Sequence, residues 1–151
     1  MNAATLGVCL MLAAQADPGA NRQPPATAVG VRFVPVTQFT LAWTHSIEKT
    51  RWEEDYRVVQ QRGAPALVLD RARIQGSGAG MDPPPGALRH GAWYEYVPTT
   101  QPDGALRLTR SEFTPDFDWC VAGDCHPLGR LLPSDDGVTL LWACRADKMR
   151  P

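Results

Sequence analysis

Two neighbouring segments of the chain alternate in side-chain character: Gln38-Phe39-Thr40-Leu41-Ala42-Trp43-Thr44-His45 and Trp52-Glu53-Glu54-Asp55-Tyr56-Arg57-Val58-Val59. In an extended backbone every second side chain points to the same face. A period of two therefore predicts two β-strands rather than helices. Because only a short stretch separates the segments, we expect them to pair as an antiparallel hairpin.

Further short segments outside this hairpin have the same strand-like character. They cover residues 29–36, 66–74, 93–97, 105–109, 117–121 and 138–144. Pro35 lies within the first of them and predicts an edge or bent strand. Turn sequences at 102–104 and 134–137 separate later strands, and helical spacing is not convincing anywhere. The sequence therefore predicts an all-β fold, an antiparallel β-sandwich or small barrel of seven to nine short strands.

The N-terminal segment predicts an exported protein. Residues 3–14 are apolar and too short to span a bilayer, and Ala14-Gln15-Ala16 matches a cleavage pattern. We therefore expect a signal peptide at 1–16, a flexible linker at 17–28, a single β domain at 29–151, and a periplasmic location after cleavage near Ala16. No Lys or Arg precedes the apolar run. A buried N-terminal helix, a misassigned start and a lipoprotein box around Cys9 remain alternatives.

Charge and cysteine content limit the function classes. The 151 residues carry a net charge of −1 without a basic cluster, which argues against nucleic-acid binding. Cleavage near Ala16 would leave three cysteines, and in an exported protein these indicate one disulfide and one leftover thiol. We favour Cys120 with Cys125, which flank a turn sequence, while a bond from Cys144 to either one stays open. Zinc ligation by these cysteines and His126 is less favoured, and we predict no metal and no cofactor.

The hairpin carries the candidate chemistry. If its loop is centred between Glu48 and Lys49, His45 lies opposite Trp52, and Glu54 becomes a diagonal neighbour of His45 on the same face. Such a pair is a polar anchor for a small ligand or a general acid and base; the alternative is a hydrogen-bonded pair that ties down the rim. Ser46 points to the opposite face, which argues against a serine hydrolase.

A glycine-rich segment forms the second motif. Gly76, Gly78 and Gly80 precede three prolines, which are incompatible with the helix that a dinucleotide-binding loop requires. Alternate glycines leave backbone amides accessible, and such amides can bind an anion such as a carboxylate. The alternative is a tight crossover packed against the sheet.

Both motifs resemble the family called domain of unknown function 1850 (DUF1850). The resemblance is carried by Trp43-Thr44-His45-Ser46-Ile47-Glu48-Lys49-Thr50-Arg51-Trp52-Glu53-Glu54 and Gly76-Ser77-Gly78-Ala79-Gly80-Met81-Asp82-Pro83-Pro84. It implies a small exported bacterial protein, encoded beside or fused to membrane subunits of tripartite ATP-independent periplasmic (TRAP) transporters of the TAXI type. It assigns no catalytic residue. The positions that match the family motif are our candidate ligand-binding residues: His45, Ser46, Glu48, Lys49, Glu53, Glu54, Gly78 and Gly80.

Three hypotheses follow for the function. The first is a non-enzymatic accessory protein that binds a TRAP transporter membrane subunit, or its organic-acid substrate, through the His45 and Glu54 rim and the 76–86 loop. In this case the protein contacts the membrane only through its partner. The second is a small hydrolase or isomerase that uses a His-Glu acid/base pair. The third is a purely structural role for both motifs in an exported β domain.

Overall fold

The computed structural model describes residues 4–16, 24–45, 49–76 and 85–146. Helical structure in these residues is limited to two 3-10 turns, Ala13–Gln15 and Leu128–Arg130. Eleven strands account for most of the rest. They are β1 (Thr5–Leu12), β2 (Arg32–Val34), β3 (Gln38–Thr44), β4 (Arg51–Gln61), β5 (Ala64–Gln75), β6 (Leu88–His90), β7 (Trp93–Tyr96), β8 (Leu106–Thr109), β9 (Asp118–Val121), β10 (Asp124–Pro127) and β11 (Val138–Ala146).

The strands form two antiparallel sheets, which confirms the predicted β-sandwich. The small sheet has the order β2-β1-β11-β8, and the large sheet has the order β10-β9-β3-β4-β5-β7-β6. Eleven strands in the described residues exceed the predicted seven to nine, because β1, β6 and β10 were not anticipated. β2 lies at an edge, as the proline in its segment predicted.

One core fills the space between the sheets. Alternate residues of β3 and β4 point inward and pack against β1 and β11 of the small sheet, and this alternation is the one that the sequence predicts. The buried members of this core are Val8, Leu10, Phe39, Leu41, Tyr56, Val58, Leu67, Leu69, Leu108, Trp119, Leu128, Leu141 and Ala143. A second cluster around Cys9, Met11 and Trp142 covers the outer face of the small sheet. The small sheet is therefore apolar on both faces.

The segment predicted to be a signal peptide forms an inner strand of the small sheet. β1 pairs with β11 along its whole length and with β2 on its other side. Val8, Cys9 and Leu10 are completely buried. Cleavage near Ala16 stays a prediction, and its structural consequence is definite, since it would remove an inner strand of the sandwich.

Two disulfides connect the four cysteines. The predicted Cys120–Cys125 bond is confirmed, and it links directly opposed residues of β9 and β10. Ala122 and Gly123 both have positive φ, as a two-residue type I′ hairpin turn requires. The expectation of a leftover thiol is wrong for this structure, because Cys144 bonds to Cys9 of β1. Two disulfides are compatible with an exported protein, since such bonds persist in oxidising compartments.

Candidate functional site

The β3–β4 hairpin forms in a different register from the predicted one. Trp43 lies opposite Trp52, and Leu41 lies opposite Glu54. His45 therefore lies opposite Thr50, whose carbonyl accepts a 2.8 Å hydrogen bond from the His45 amide. The prediction that His45 faces Trp52 is wrong by two residues. An even shift keeps every side chain on its predicted face but changes its neighbours.

The new register separates the proposed acid/base pair. His45 and Glu54 are now four positions apart along the hairpin, which is about 13 Å at about 3.3 Å per residue. The Trp43–Trp52 pair occupies the space between them. His45 stacks on Trp52 with ring centroids 6.1 Å apart, and Trp52 stacks on Trp43 at the same distance. Aromatic stacking therefore positions the imidazole at the end of the sandwich.

Glu54 lies on the inner face, where its carboxylate contacts a tyrosine. The Tyr56 hydroxyl donates a 2.8 Å hydrogen bond to Glu54 Oε1. Burial raises the pKa of Glu54 above its ordinary value of 4.5, and the Tyr56 hydrogen bond opposes part of that shift. The pKa values of Tyr56 and Tyr96 are also raised, mainly by burial and to a smaller extent by the negative charge of Glu54. Glu54 is thus a half-buried acid whose loss of hydration is only partly offset by the Tyr56 hydrogen bond.

Two buried polar atoms of the hairpin have no hydrogen-bond partner in the part of the chain that the structure describes. They are the hydroxyl of Thr50 and the indole nitrogen of Trp52. Buried polar atoms of this kind are uncommon in folded proteins, and both lie close to residues 46–48, which are outside the described part of the chain. Both lie on the same face as His45, because residues 50 and 52 alternate with 51.

A pocket of about 310 Å³ opens beside His45. We call it the His45 pocket; it is lined by Trp43, Thr44, His45, Thr109, Arg110, Ser111, Thr114, Pro115, Asp116 and Phe117. One wall is the segment 111–116, which we call the Phe113 loop. Its tip residue, Phe113, is 88% exposed.

The Phe113 loop is closed by a buried ion pair. The Arg110 side chain is only 1% exposed, and it donates two hydrogen bonds to Asp116 at 3.0 and 2.9 Å. Asp116 also accepts hydrogen bonds from the amides of Phe117 and Gly129. Arg110 and Asp116 thus fix both ends of the loop, and the charges within the His45 pocket largely compensate each other.

The outer face of the large sheet carries a second, larger concavity. This outer groove has a volume of about 780 Å³ and crosses β3, β4 and β5, with the β9–β10 turn as one wall. Three guanidinium groups and three carboxylates line it, namely Arg57, Arg71, Arg73, Glu53, Asp55 and Asp70. The outward-facing half of the alternation in β4 therefore produces a surface that presents both signs of charge.

Arg73 and Asp55 form the centre of the groove. Arg73 donates two hydrogen bonds to Asp55, at 2.7 and 2.8 Å, and a third of 3.0 Å to Glu53. Thr40 donates a 2.6 Å hydrogen bond to Asp55. Burial acts to raise the pKa of Asp55, but the hydrogen bonds from Arg73 and Thr40, with the positive charges of Arg73 and Arg71, outweigh it and lower that pKa. The hydrogen bonds to Asp55 and Glu53, with the negative charges of these two residues, raise the pKa of Arg73 against the opposing effect of burial.

The sequence interpretation found only part of this groove. Glu53 was a candidate, whereas Asp55, Asp70 and the arginines were not, although alternate acidic residues on β4 face Arg71 and Arg73 on β5. That pattern of opposite charges on adjacent strands is a signal that sequence reasoning could have used.

The candidate residues do not converge on one site. Among the described ones, His45 lines the His45 pocket, Glu53 lines the outer groove and Glu54 faces the core. Lys49 adopts positive φ in the hairpin loop, and its amide donates a hydrogen bond to the His45 carbonyl. The remaining four candidates, Ser46, Glu48, Gly78 and Gly80, lie outside the described residues.

The described start of the glycine-rich segment packs closely on the sheet. Gly76 donates a 2.6 Å hydrogen bond to the Ala92 carbonyl, and a Cβ at this position would lie 2.6 Å from the Tyr94 ring. A side chain there would collide with the ring, so glycine is required by packing. This contact agrees with the alternative that the segment is a tight crossover, while the predicted anion site falls on residues outside the description.

Two absences concern possible cofactors and membranes. Within 4–16, 24–45, 49–76 and 85–146, no three His, Cys, Asp or Glu side chains are grouped to hold a metal ion. In the same residues, no helix has the length and apolar character needed to cross a membrane.

Comparison with known proteins gives one match. A protein-family model described as "Domain of unknown function (DUF1850)" matches residues 39–128. The searches of curated proteins and of solved structures returned no match. The matched range contains the β3–β4 hairpin except its first residue, Gln38, and every residue of the Phe113 loop.

Proposed function

The chain belongs to the DUF1850 family, and on that premise we propose that it is a non-enzymatic periplasmic binding protein that docks a membrane subunit of a TRAP-type transporter. The docking surface is the Phe113 loop together with the adjacent His45 pocket. One observation carries the proposal: an almost fully exposed aromatic ring stands on a loop whose conformation is fixed by buried contacts.

The rigidity of the loop favours docking over a chance exposure. In addition to the Arg110–Asp116 pair, the Ser111 hydroxyl accepts a 3.1 Å hydrogen bond from the Phe113 amide. The Thr114 amide donates to the Ser111 carbonyl. A ring held in place loses little conformational freedom on binding, and aromatic side chains dominate the central contacts of protein interfaces. The loop is therefore organised as an anchor.

The charge around the anchor indicates the chemistry of the partner. Glu112, Asp135 and Asp136 are exposed and form no ion pair within the described part of the chain. The 134–137 turn lies beside the loop, because the Ser134 hydroxyl hydrogen-bonds to the Arg110 carbonyl. Complementary charge favours correct encounter between proteins. We therefore expect an apolar pocket with a basic rim on the transporter subunit.

The other hypotheses have less support from the geometry. A hydrolase or isomerase that uses His45 with Glu54 requires two groups within hydrogen-bonding reach, and the observed register places a tryptophan pair between them. A purely structural role agrees with the stacking of His45 on Trp52. The structural hypothesis predicts that changes at the surface of the Phe113 loop have no effect on association.

Binding to the purified TRAP membrane subunit in lipid nanodiscs tests the proposal by biolayer interferometry. Phe113→Ala is expected to weaken association at least about 30-fold, the effect of losing a hot-spot residue of about 2 kcal/mol. The matched control is Val29→Ala, because Val29 is 93% exposed and lies outside the docking surface. Both variants should keep the wild-type melting temperature. Absence of binding by the wild type, or equal binding by the two variants, would contradict the proposal.

A further inference from the structure

We propose that the outer groove is a binding site for a zwitterion, a small molecule that carries one ammonium and one carboxylate on an apolar body. Free amino acids and short peptides share this chemistry. The groove shares no lining residue with the His45 pocket, so the inference does not depend on the transporter proposal.

The balance of charge in the groove selects the ligand class. The lining contains three cations and three anions. A simple anion would gain little net attraction from such a lining, and it would bring its charge close to Asp70 and Asp55. A simple cation would likewise gain little net attraction, and it would bring its charge close to the three arginines. A zwitterion places each of its charges against the opposite one, and its own net charge is zero, so neither end is left uncompensated.

Two of the arginines that line the groove have donors for a carboxylate. Arg57 binds Asp70 through Nε and Nη2, at 2.6 and 2.9 Å, and Arg71 contacts Glu95 through Nη1 at 3.1 Å. Their side chains are 45% and 54% exposed, and their remaining N–H groups have no partner in the described part of the chain. Arg57 is held on one edge by two hydrogen bonds, so its other edge is presented in a fixed orientation that suits a planar carboxylate, whereas Arg71 is held through one nitrogen only.

The acceptor for the ammonium lies in the same groove. Asp70 is 35% exposed, and each of its carboxylate oxygens accepts one hydrogen bond from Arg57 while retaining capacity for another. Asp55 is less available, because Arg73 and Thr40 already occupy it. The structure therefore assigns the carboxylate end of the ligand to Arg57 and Arg71, and the ammonium end to Asp70.

The wall of the groove provides apolar contact. The β9–β10 turn contributes Ala122 and the Cys120–Cys125 disulfide to the lining. The disulfide and the type I′ turn make this wall rigid. The wall lies beside Thr40 of β3, because Thr40 is the strand partner of Cys120. The volume of about 780 Å³ accommodates a ligand as large as a short peptide.

Isothermal titration of the full chain with matched probes tests the site. The zwitterions are L-phenylalanine and alanyl-phenylalanine. The controls are 3-phenylpropanoate, which is phenylalanine without its amine, and 2-phenylethylamine, which is phenylalanine without its carboxylate. We expect at least one zwitterion to bind with a dissociation constant below about 1 mM, and both truncated probes to bind at least about tenfold more weakly than L-phenylalanine or not at all.

Variants at the groove locate the binding and complete the test. Arg71→Gln and Asp70→Asn should each weaken zwitterion binding at least about tenfold, because each removes one charge-assisted contact. Arg107→Gln, at an exposed arginine of β8 in the other sheet, should leave binding unchanged. Thermal melting checks that each variant is folded. Equal affinity for 3-phenylpropanoate and L-phenylalanine, binding that is insensitive to both groove variants, or no binding by any zwitterion would overturn the inference.

Discussion

Removing β1 is the most decisive perturbation of this fold. We compare the full chain with a chain that begins at Asp17, which is the product of the cleavage predicted near Ala16. Val8, Leu10 and Met11 are at most 2% exposed, and complete burial of such side chains stabilises a protein by about 1.5–3 kcal/mol each, or about 5–9 kcal/mol together.

The disulfide of β1 adds a second contribution. Cys9 and Cys144 are separated by 135 residues, and the chain-entropy model assigns a cross-link of that span about 5 kcal/mol. The two contributions together reach about 10–14 kcal/mol, whereas whole domains are stable by about 5–15 kcal/mol. We therefore expect the chain that begins at Asp17 to lack a cooperative folded state.

Urea unfolding followed by tryptophan fluorescence measures this difference, because Trp119 and Trp142 are both 2% exposed. The full chain should show one cooperative transition, and the shortened chain should show none. The double variant Cys9→Ala/Cys144→Ala separates the two contributions, since it keeps the strand without burying new hydroxyl groups and should lose about 5 kcal/mol. A shortened chain that unfolds cooperatively within about 1 kcal/mol of the full chain would refute the reasoning and would support cleavage near Ala16.

Three further predictions concern single side chains. Glu54→Gln should raise the melting temperature at pH 7. Burial raises the pKa of Glu54 in the folded state, so the protonated side chain stabilises the fold fully only below about pH 4.5, and this stabilisation is lost as the pH rises through the folded-state pKa. Melting temperatures measured from pH 4 to 8 should therefore decline for the wild type and lack this decline in the variant. Asp55→Asn should lower the free energy of unfolding in urea by about 1–3 kcal/mol at pH 7. Because contacts with Arg73 lower the pKa of Asp55, the difference in stability between wild type and variant should shrink as the pH falls below 3.8, the ordinary pKa of an aspartate. A difference that stays unchanged at low pH would contradict this. Asp116→Asn should cost about 3–5 kcal/mol in the same assay, because it leaves the buried Arg110 cation without its counter-ion, and a loss under 1 kcal/mol would argue against a rigid Phe113 loop.

The alternation of the hairpin was enough to predict its faces but not its contacts. Phe39 and Leu41 point inward as expected, because a period of two fixes the face of each residue. The register depends instead on the loop, where Lys49 adopts positive φ. Such a conformation is unfavourable for lysine and has no signature in the sequence, unlike the positive-φ turn at Gly123. A two-residue error in register therefore left every predicted face correct. It nevertheless changed the cross-strand neighbours, so His45 and Glu54 are not close to each other in the structure.

The segment that forms β1 was predicted to be part of a signal peptide rather than a strand, and the reason is physical. A strand that is covered on both faces has no polar side to alternate with, so it reads as a continuous apolar run. The hydrophobic part of a signal peptide has the same composition and a similar length. Two features distinguish this segment from a signal peptide: no Lys or Arg precedes the apolar run, and Cys9 bonds to Cys144, which ties the segment to β11. Sequence reasoning that discards the segment also discards that partner.

The family match covers one layer of the sandwich almost completely. The matched range of 39–128 covers all but the first residue of the large sheet, whereas β1, β2 and β11 of the small sheet lie outside it. A single sheet with one apolar face requires a second layer to cover that face. The small sheet supplies this cover mainly through strands from the two flanking segments. Both candidate surfaces, the Phe113 loop with the His45 pocket and the outer groove, lie within the matched range. The outer groove lies on the large sheet, whereas the Phe113 loop joins β8 of the small sheet to β9 of the large sheet. Because the two surfaces share no lining residue, variants of Phe113 and Arg71 should affect separate binding events.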